Sequence, residues 1–132
     1  MAMIGLLVNV KGYSWVGVGT DDFDATLSFF STIMGLRPVV VEERGVAILS
    51  VSDGQVLEVF GPGTRGRELT SPPVVAFEVE DVAAAREELL LHGVGIVGDV
   101  GSWNGFEWLK FRGPDGHIFA VQKTPTGWEE TL

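Results

Sequence analysis

Apolar and polar residues follow two similar series along this chain. In the first series, alternation over residues 13–20 predicts a strand. Either Asp21 or Asp22 then caps a helix that runs to about Met34 and ends at Gly35, a residue suited to the position after a helix. Apolar residues recur on one face of this helix at helical spacing: Phe23, Leu27, Phe30 and Met34.

Three short apolar runs complete the first series. They predict strands at residues 38–43, 46–51 and 55–60. Arg44-Gly45 and Asp53-Gly54 separate the runs, and both dipeptides suit tight turns. The order is therefore strand, helix, strand, strand, strand.

The same order returns after residues 63–73, which are rich in glycine and proline and predict a linker. Residues 74–80 predict a strand, and Asp81 caps a helix over residues 82–92 that buries Val82, Ala85 and Leu89. Later strands are predicted at residues 94–97, 106–112 and 118–123, with a separate glycine-rich segment at residues 98–105.

An internal duplication of one βαβββ unit explains both series. Asp53-Gly54 precedes the last strand of the first copy, and Asp115-Gly116 precedes the last strand of the second. We therefore predict an α+β protein with a single domain over residues 1–132. Module one covers about 13–62, the linker 63–73 and module two about 74–124.

Composition narrows the classes of function. The 132 residues include no cysteine, which excludes disulfides and thiolate metal sites and fits a cytoplasmic location. The net charge of −9 disfavours nucleic acid and anionic membranes as partners, and it would attract cationic small molecules. A surface charge that serves solubility alone is the other interpretation. The apolar residues 1–8 are too short for a membrane span and predict a leading strand or arm.

Three local motifs resemble one known family. They are Trp15-Val16-Gly17-Val18 at the first strand, Phe29-Phe30 with Met34-Gly35-Leu36 at the helix end, and Gly113-Pro114-Asp115-Gly116-His117 at the last turn. With the duplication, they make residues 13–123 similar to the vicinal oxygen chelate superfamily of glyoxalases, bleomycin-resistance proteins and extradiol dioxygenases. The resemblance implies a curved eight-stranded mixed sheet around a cleft, with helices outside.

The resemblance also implies where a metal would bind. Metal-dependent members take ligands from the first and last strands of each module, and the matching positions here are Trp15, Glu58, Val74 and Ala120. Glu58 alone offers a ligand atom, whereas a catalytic divalent site needs about three protein ligands. We therefore predict neither a metal nor another cofactor.

Strand alternation places further side chains on the same sheet face as the four implied metal-ligand positions. An aromatic, mostly apolar pocket with one or two carboxylates suits a flat or cationic small molecule. The alternatives are that the aromatic residues fill the sheet interior and that Glu58 is hydrogen-bonded internally. The predicted ligand-binding residues are Trp15, Ile48, Ser50, Glu58, Phe60, Glu78, Trp103, Trp108 and Gln122.

The favoured function is a metal-independent binding protein of the bleomycin-resistance type that sequesters a cationic or aromatic compound, with no catalytic residue. One alternative is a metal-dependent glyoxalase- or dioxygenase-type enzyme with atypical ligands such as Glu58, Glu78, His117 and Gln122. Acid–base catalysis by Glu58 or Glu78 is a third. A homodimer is expected, because the sheet edges and the apolar N-terminal strand offer surface to a second chain.

Overall fold

The computed structural model describes residues 7–52, 54–70, 72–113 and 116–131. Its eight strands belong to one mixed sheet that is not closed, which confirms the predicted α+β class. The strands are β1 (Val10–Gly19), β2 (Arg37–Glu42), β3 (Val46–Ser50), β4 (Val56–Phe60), β5 (Val74–Val79), β6 (Ile96–Trp103), β7 (Phe106–Arg112) and β8 (Ile118–Lys123). The helices are α1 (Phe23–Ser28), α2 (Gly66–Leu69), α3 (Val82–Leu91) and α4 (Trp128–Thr131).

Contacts divide the chain into two compact units. One contains residues 15–75 and 126–132, and the other contains residues 1–14 and 76–125. The strand order is β2-β3-β4-β1 in the first unit and β5-β8-β7-β6 in the second. The pairs β1–β4 and β5–β8 are parallel, and the other pairs within each unit are antiparallel. Each unit thus repeats the same arrangement, as the duplicated sequence predicts.

The first helix begins as predicted but ends differently. The Asp22 carboxylate accepts a hydrogen bond from the Ala25 amide at 3.1 Å, so Asp22 is the capping residue. After α1, residues Phe29–Ile33 form a π-helical turn. The wider turn rotates the following residue away from the buried face, and Met34 is 57% exposed. Its predicted place on that face was wrong.

The core of this unit lies between the sheet and α1. Ala47, Leu49 and Val59 are fully buried, and partly buried apolar residues surround them: Phe23, Leu27, Phe30, Leu36 and Leu57. These residues alternate along β3 and β4 with the residues predicted to bind ligand. The strand period therefore separates a core face from a second face, as predicted.

The second unit follows the prediction closely around α3. The Asp81 carboxylate accepts a hydrogen bond from the Ala84 amide at 3.0 Å, which confirms the cap. Val82, Ala85 and Leu89 are its buried residues. The helix packs on a cluster that also contains Val79, Leu109 and Val121.

The prediction of a separate glycine-rich segment at residues 98–105 was wrong. β6 runs through it to Trp103, with a register shift between Val97 and Gly101. Gly98 has a φ of +75°, which lets one irregularity bend the strand without ending it. Asn104 and Gly105 then have positive φ and form the two-residue turn into β7.

Residues 1–6 of the predicted leading strand or arm lie outside the described residues. The predicted turn residues Asp53 and Asp115 lie outside the described residues, while Gly54 and Gly116 have the positive φ expected of them. A short helix, α2, lies within the predicted linker, and α4 had no counterpart in the sequence prediction. No described helix combines the length and the apolar character that a membrane span requires.

Candidate functional site

The unit of residues 15–75 and 126–132 presents a second sheet face opposite its core, which we call the Glu58 face. Glu58 lies between Ile48 on β3 and Gly17 on β1. In the neighbouring rows, Val56 lies between Ser50 and Trp15, and Phe60 lies between Val46 and Gly19. The Glu58 face thus consists of Trp15, Gly17, Gly19, Val46, Ile48, Ser50, Val56, Glu58 and Phe60.

Trp15 holds the carboxylate at the centre of this face. Its indole Nε1 donates a hydrogen bond to Glu58 Oε1 at 2.9 Å. The ring lies over Gly17, where a Cβ atom would overlap it. The Trp15 and Phe60 rings also meet edge to face, with centroids 6.3 Å apart. Glu58 therefore lies beside the rings of Trp15 and Phe60, which we call the aromatic corner. The Trp15 ring fits there because Gly17, on the neighbouring strand, has no side chain.

Burial sets the protonation behaviour of Glu58. Desolvation raises the pKa of its carboxyl group above the ordinary 4.5, while the hydrogen bond from Trp15 and the charge of Arg44 act in the opposite direction. The charge of Glu42 adds to the increase. Arg44 itself pairs with Glu42, at 2.7 Å between Nε and Oε2. Within the described part of the chain, no ion pair forms with Glu58.

The helix α2 borders the Phe60 end of the face. A Cβ atom at Gly66 would overlap the Phe60 ring, so the helix and ring are in close contact. Arg67 Nη2 and Nε donate to Asp21 Oδ1 at 2.7 and 3.1 Å. The Gly19 amide also donates to the Thr70 carbonyl at 3.2 Å. These bonds fix α2 to the end of β1.

The helix α4 borders the opposite end. Ser50 Oγ donates to Glu129 Oε2 at 2.6 Å, and Arg37 Nη2 donates to the same oxygen at 2.9 Å. Trp128 is only 2% exposed. The sequence prediction missed this contact, because a four-residue helix carries no measurable period and Glu129 lies 79 residues from Ser50.

Glu78 and Gln122, in the other unit, belong to an internal network. Glu78 accepts hydrogen bonds from the Thr124 amide at 3.0 Å and from its hydroxyl at 2.8 Å. Gln122 Nε2 lies 3.3 Å from the same hydroxyl and is the donor to it. The carboxylate thus holds the chain in place where β8 ends.

The two tryptophans of that unit contact their own hairpin. A Cβ atom at Gly101 would overlap the Trp108 ring, so Trp108 covers the backbone of β6. Trp103 stacks on Phe106 with centroids 6.1 Å apart, and it remains 40% exposed. Five of the nine predicted residues therefore share the Glu58 face, namely Trp15, Ile48, Ser50, Glu58 and Phe60. The other four belong to the unit of residues 1–14 and 76–125.

Comparison with known proteins identifies the family. The sequence model of the Glyoxalase/Bleomycin resistance protein/Dioxygenase superfamily matches residues 12–121. The chain belongs to this superfamily. Among curated proteins, none matches it.

Solved structures show the same fold at low sequence identity. Methylmalonyl-CoA epimerase from Mycobacterium tuberculosis is 17% identical, with a TM-score of 0.69, and the match covers 95% of this chain and 93% of that one. A variant of the Streptomyces coelicolor methylmalonyl-CoA epimerase in complex with 2-nitronate-propionyl-CoA is 21% identical, with a TM-score of 0.69 and coverages of 89% and 97%. A superfamily member from Vibrio splendidus 12B01 is 16% identical, with a TM-score of 0.60 and coverages of 82% and 95%.

The metal positions implied by superfamily resemblance do not fit a divalent ion in this member. The Trp15 indole nitrogen carries a hydrogen and donates it to Glu58, so it has no lone pair to offer. Val74 and Ala120 are buried and apolar. Across the described ranges, no group of three His, Cys, Asp or Glu side chains could hold a metal ion. Glu58 is thus the sole donor among the four positions.

Proposed function

We propose that this superfamily member binds a small organic cation with an aromatic ring at the Glu58 face, without a metal ion. The burial and the bonding of the Glu58 carboxylate are the main support for this proposal. Its carboxylate is partly buried, and from the described residues it receives one hydrogen bond, from Trp15, and no ion pair. A partly buried carboxylate in this state gains free energy from a cation that reaches it.

The surroundings of Glu58 suit the aromatic part of such a ligand. Trp15 and Phe60 present rings beside the carboxylate. A cation over an aromatic ring gains about 0.5–2 kcal/mol, with the larger values at desolvated sites. The net charge of −9 adds a long-range attraction for cations. Binding proteins of the bleomycin-resistance type are the corresponding functional class in this superfamily.

A matched pair of compounds tests the proposal. N-methylquinolinium carries a permanent charge, and quinoline has nearly the same shape but is neutral at pH 8. Calorimetric titration should show the cation binding at least about tenfold more tightly, which is the effect of one charge-assisted interaction. Quenching of tryptophan fluorescence provides a second measurement. Equal affinity for the two compounds, or no binding of either, would contradict the proposal.

Proton transfer is the second candidate, because burial raises the pKa of Glu58 toward the range useful in acid–base catalysis. The structurally similar epimerases named above act on methylmalonyl-CoA. Incubation with methylmalonyl-CoA in deuterium oxide, followed by NMR, distinguishes the two functions. A binding protein should leave the proton at the substituted carbon unexchanged over hours. Deuterium incorporation that Glu58→Gln abolishes would establish an enzyme instead.

The enzyme alternative, the homodimer and the cytoplasmic location remain predictions. A metal-dependent glyoxalase- or dioxygenase-type activity has less support than binding, because Glu58 is the one donor at the four expected positions. A homodimer remains a proposal that the exposed Leu7, Val10 and Tyr13 support. A cytoplasmic location is likewise proposed from the absence of cysteine.

A further inference from the structure

β3 is buried on both of its faces, although one of them is the proposed ligand face. Ala47 and Leu49 belong to the core, where burial is expected. On the Glu58 face, Val46, Ile48 and Ser50 are also buried, with Ile48 at 6% and Ser50 at 8% exposed. Two of the predicted ligand-binding residues are therefore covered by the protein itself in this structure.

Residues 126–131 reach the Ser50 end of β3 through Glu129. They group with residues 15–75 in the same compact unit. Glu129 accepts hydrogen bonds from Ser50 and Arg37 through a single carboxylate oxygen. The preceding residue, Trp128, has the largest side chain among the fully buried residues. The Glu129 carboxylate thus occupies the position where the sheet would otherwise offer Ser50 to a ligand, next to a buried indole in the sequence.

The geometry of this segment suits a reversible contact. α4 has four residues, and an isolated helix of that length has no stability of its own in water. Gly127, with a φ of +69°, turns the chain just before it. Arg37 is an exposed partner, with 61% of its side chain accessible. The segment is therefore ordered only by its contacts with the rest of the unit.

We propose that residues 126–131 form a displaceable cover over the Ser50 end of the Glu58 face, latched by the bonds from Glu129 to Ser50 and Arg37. This inference rests on the proposed function, because a ligand at Glu58 binds more strongly when the cover has left. A protein whose binding-competent state is only partly populated shows an affinity reduced by that fraction. The latch then sets the affinity with which the face binds its ligand.

Two variants release the latch with opposite effects on charge. Glu129→Ala removes a negative charge, which by electrostatics alone would weaken cation binding. Arg37→Gln removes a positive charge, which alone would strengthen it. Both variants break the ion pair between Arg37 and Glu129, and Glu129→Ala also removes the hydrogen bond from Ser50. Glu130→Ala is the matched control, since Glu130 is an exposed neighbour on the same helix.

Hydrogen–deuterium exchange measures the cover without any ligand. Backbone amides in the peptide of residues 126–132 should exchange at least about fivefold faster in Glu129→Ala and Arg37→Gln than in the unchanged protein or in Glu130→Ala, because opening of the latch exposes them. Unchanged exchange in both release variants would overturn the proposal.

Titration with N-methylquinolinium measures the consequence for binding. Both release variants should bind this probe at least about threefold more tightly than the unchanged protein, despite their opposite changes in charge. Affinities that move in opposite directions would reveal electrostatics alone and overturn the cover. Faster exchange with an unchanged affinity would overturn it as well.

Failure of the proposed function gives a different result. In that case the probe binds none of the proteins, including the variants with a released latch, and the role of the cover in ligand control is rejected together with the site. Failure of the cover alone leaves binding that depends on Glu58, and replacing Glu129 and Arg37 then either leaves the affinity unchanged or shifts it in opposite directions.

Discussion

Glu58→Gln is expected to lower the affinity for N-methylquinolinium by at least about tenfold, since it removes the charge that pairs with the cation. Glutamine keeps an oxygen that can accept the hydrogen bond from Trp15, so the aromatic corner should remain in place. Calorimetric titration at pH 8 measures the change. Glu43→Gln is the control, because it removes an equal charge from an exposed position on the same unit.

The same substitution should change the pH dependence of stability. Because burial raises the pKa of Glu58, the folded protein holds this proton to a higher pH than the unfolded chain does. The contribution of Glu58 to the free energy of unfolding is therefore greatest below the ordinary value of 4.5 and falls as the pH rises through the folded-state pKa. Glu58→Gln should remove this decrease and be more stable than the unchanged protein at pH 8.

Urea unfolding at pH 5 and pH 8 tests the direction of this effect. The difference in unfolding free energy between Glu58→Gln and the unchanged protein should grow with pH. Cation binding by the unchanged protein should also strengthen over the same interval, because protons compete for the carboxylate. A stability difference that shrinks with pH would show that the carboxylate is stabilised in the fold, and the binding proposal would lose its basis.

Gly17→Ala is expected to destabilise the protein by about 1–3 kcal/mol, the range for overfilling a packed site. A Cβ atom at this position would overlap the Trp15 ring and would lie 2.7 Å from Thr70 Cγ2. The ring must move, and its hydrogen bond to Glu58 is then lost. Binding of N-methylquinolinium should weaken together with stability, because the same ring borders the carboxylate.

Gly95→Ala provides the control for this prediction. Apart from its chain neighbours, no atom of the described residues lies within 4 Å of the Cβ position at Gly95, so alanine should be neutral or stabilise by up to about 1 kcal/mol through the unfolded chain. Chemical unfolding followed by tryptophan fluorescence measures both variants. Equal stability of the two alanine variants would show that Trp15 relaxes freely, and the rigid aromatic corner would have to be abandoned.

Glu58 lies at a position expected of a metal ligand, but Trp15, Val74 and Ala120 occupy the other three expected positions. Resemblance to the superfamily places Glu58 at a metal-ligand position, yet the structure gives it an indole donor and apolar neighbours. A carboxylate in such surroundings favours either a proton or an organic cation. The chemistry of the site therefore follows from Trp15 and Gly17 as much as from Glu58.

The sequence by itself determined the features that depend on local chemistry and strand period. Asp22 and Asp81 cap their helices because a short carboxylate reaches amides two or three residues ahead. Leu57 and Val59 share a face because strand side chains alternate, and Glu58 accordingly lies on the other face. The duplication repeats these caps and this strand alternation in the second copy. The class of fold could therefore be predicted from the sequence.

Tertiary structure alone decided which polar groups satisfy one another. Trp15 reaches Glu58 across 43 positions, and Thr124 satisfies Glu78 across 46. No local pattern encodes such pairs, so the sequence offered both Glu58 and Glu78 as pocket carboxylates, and only the structure shows that Glu78 is hydrogen-bonded to Thr124. The contact of Glu129 with Arg37 spans 92 positions and arises from a helix too short to show a period. Partner choice over such distances depends on how the strands and termini come together, which composition and spacing do not specify.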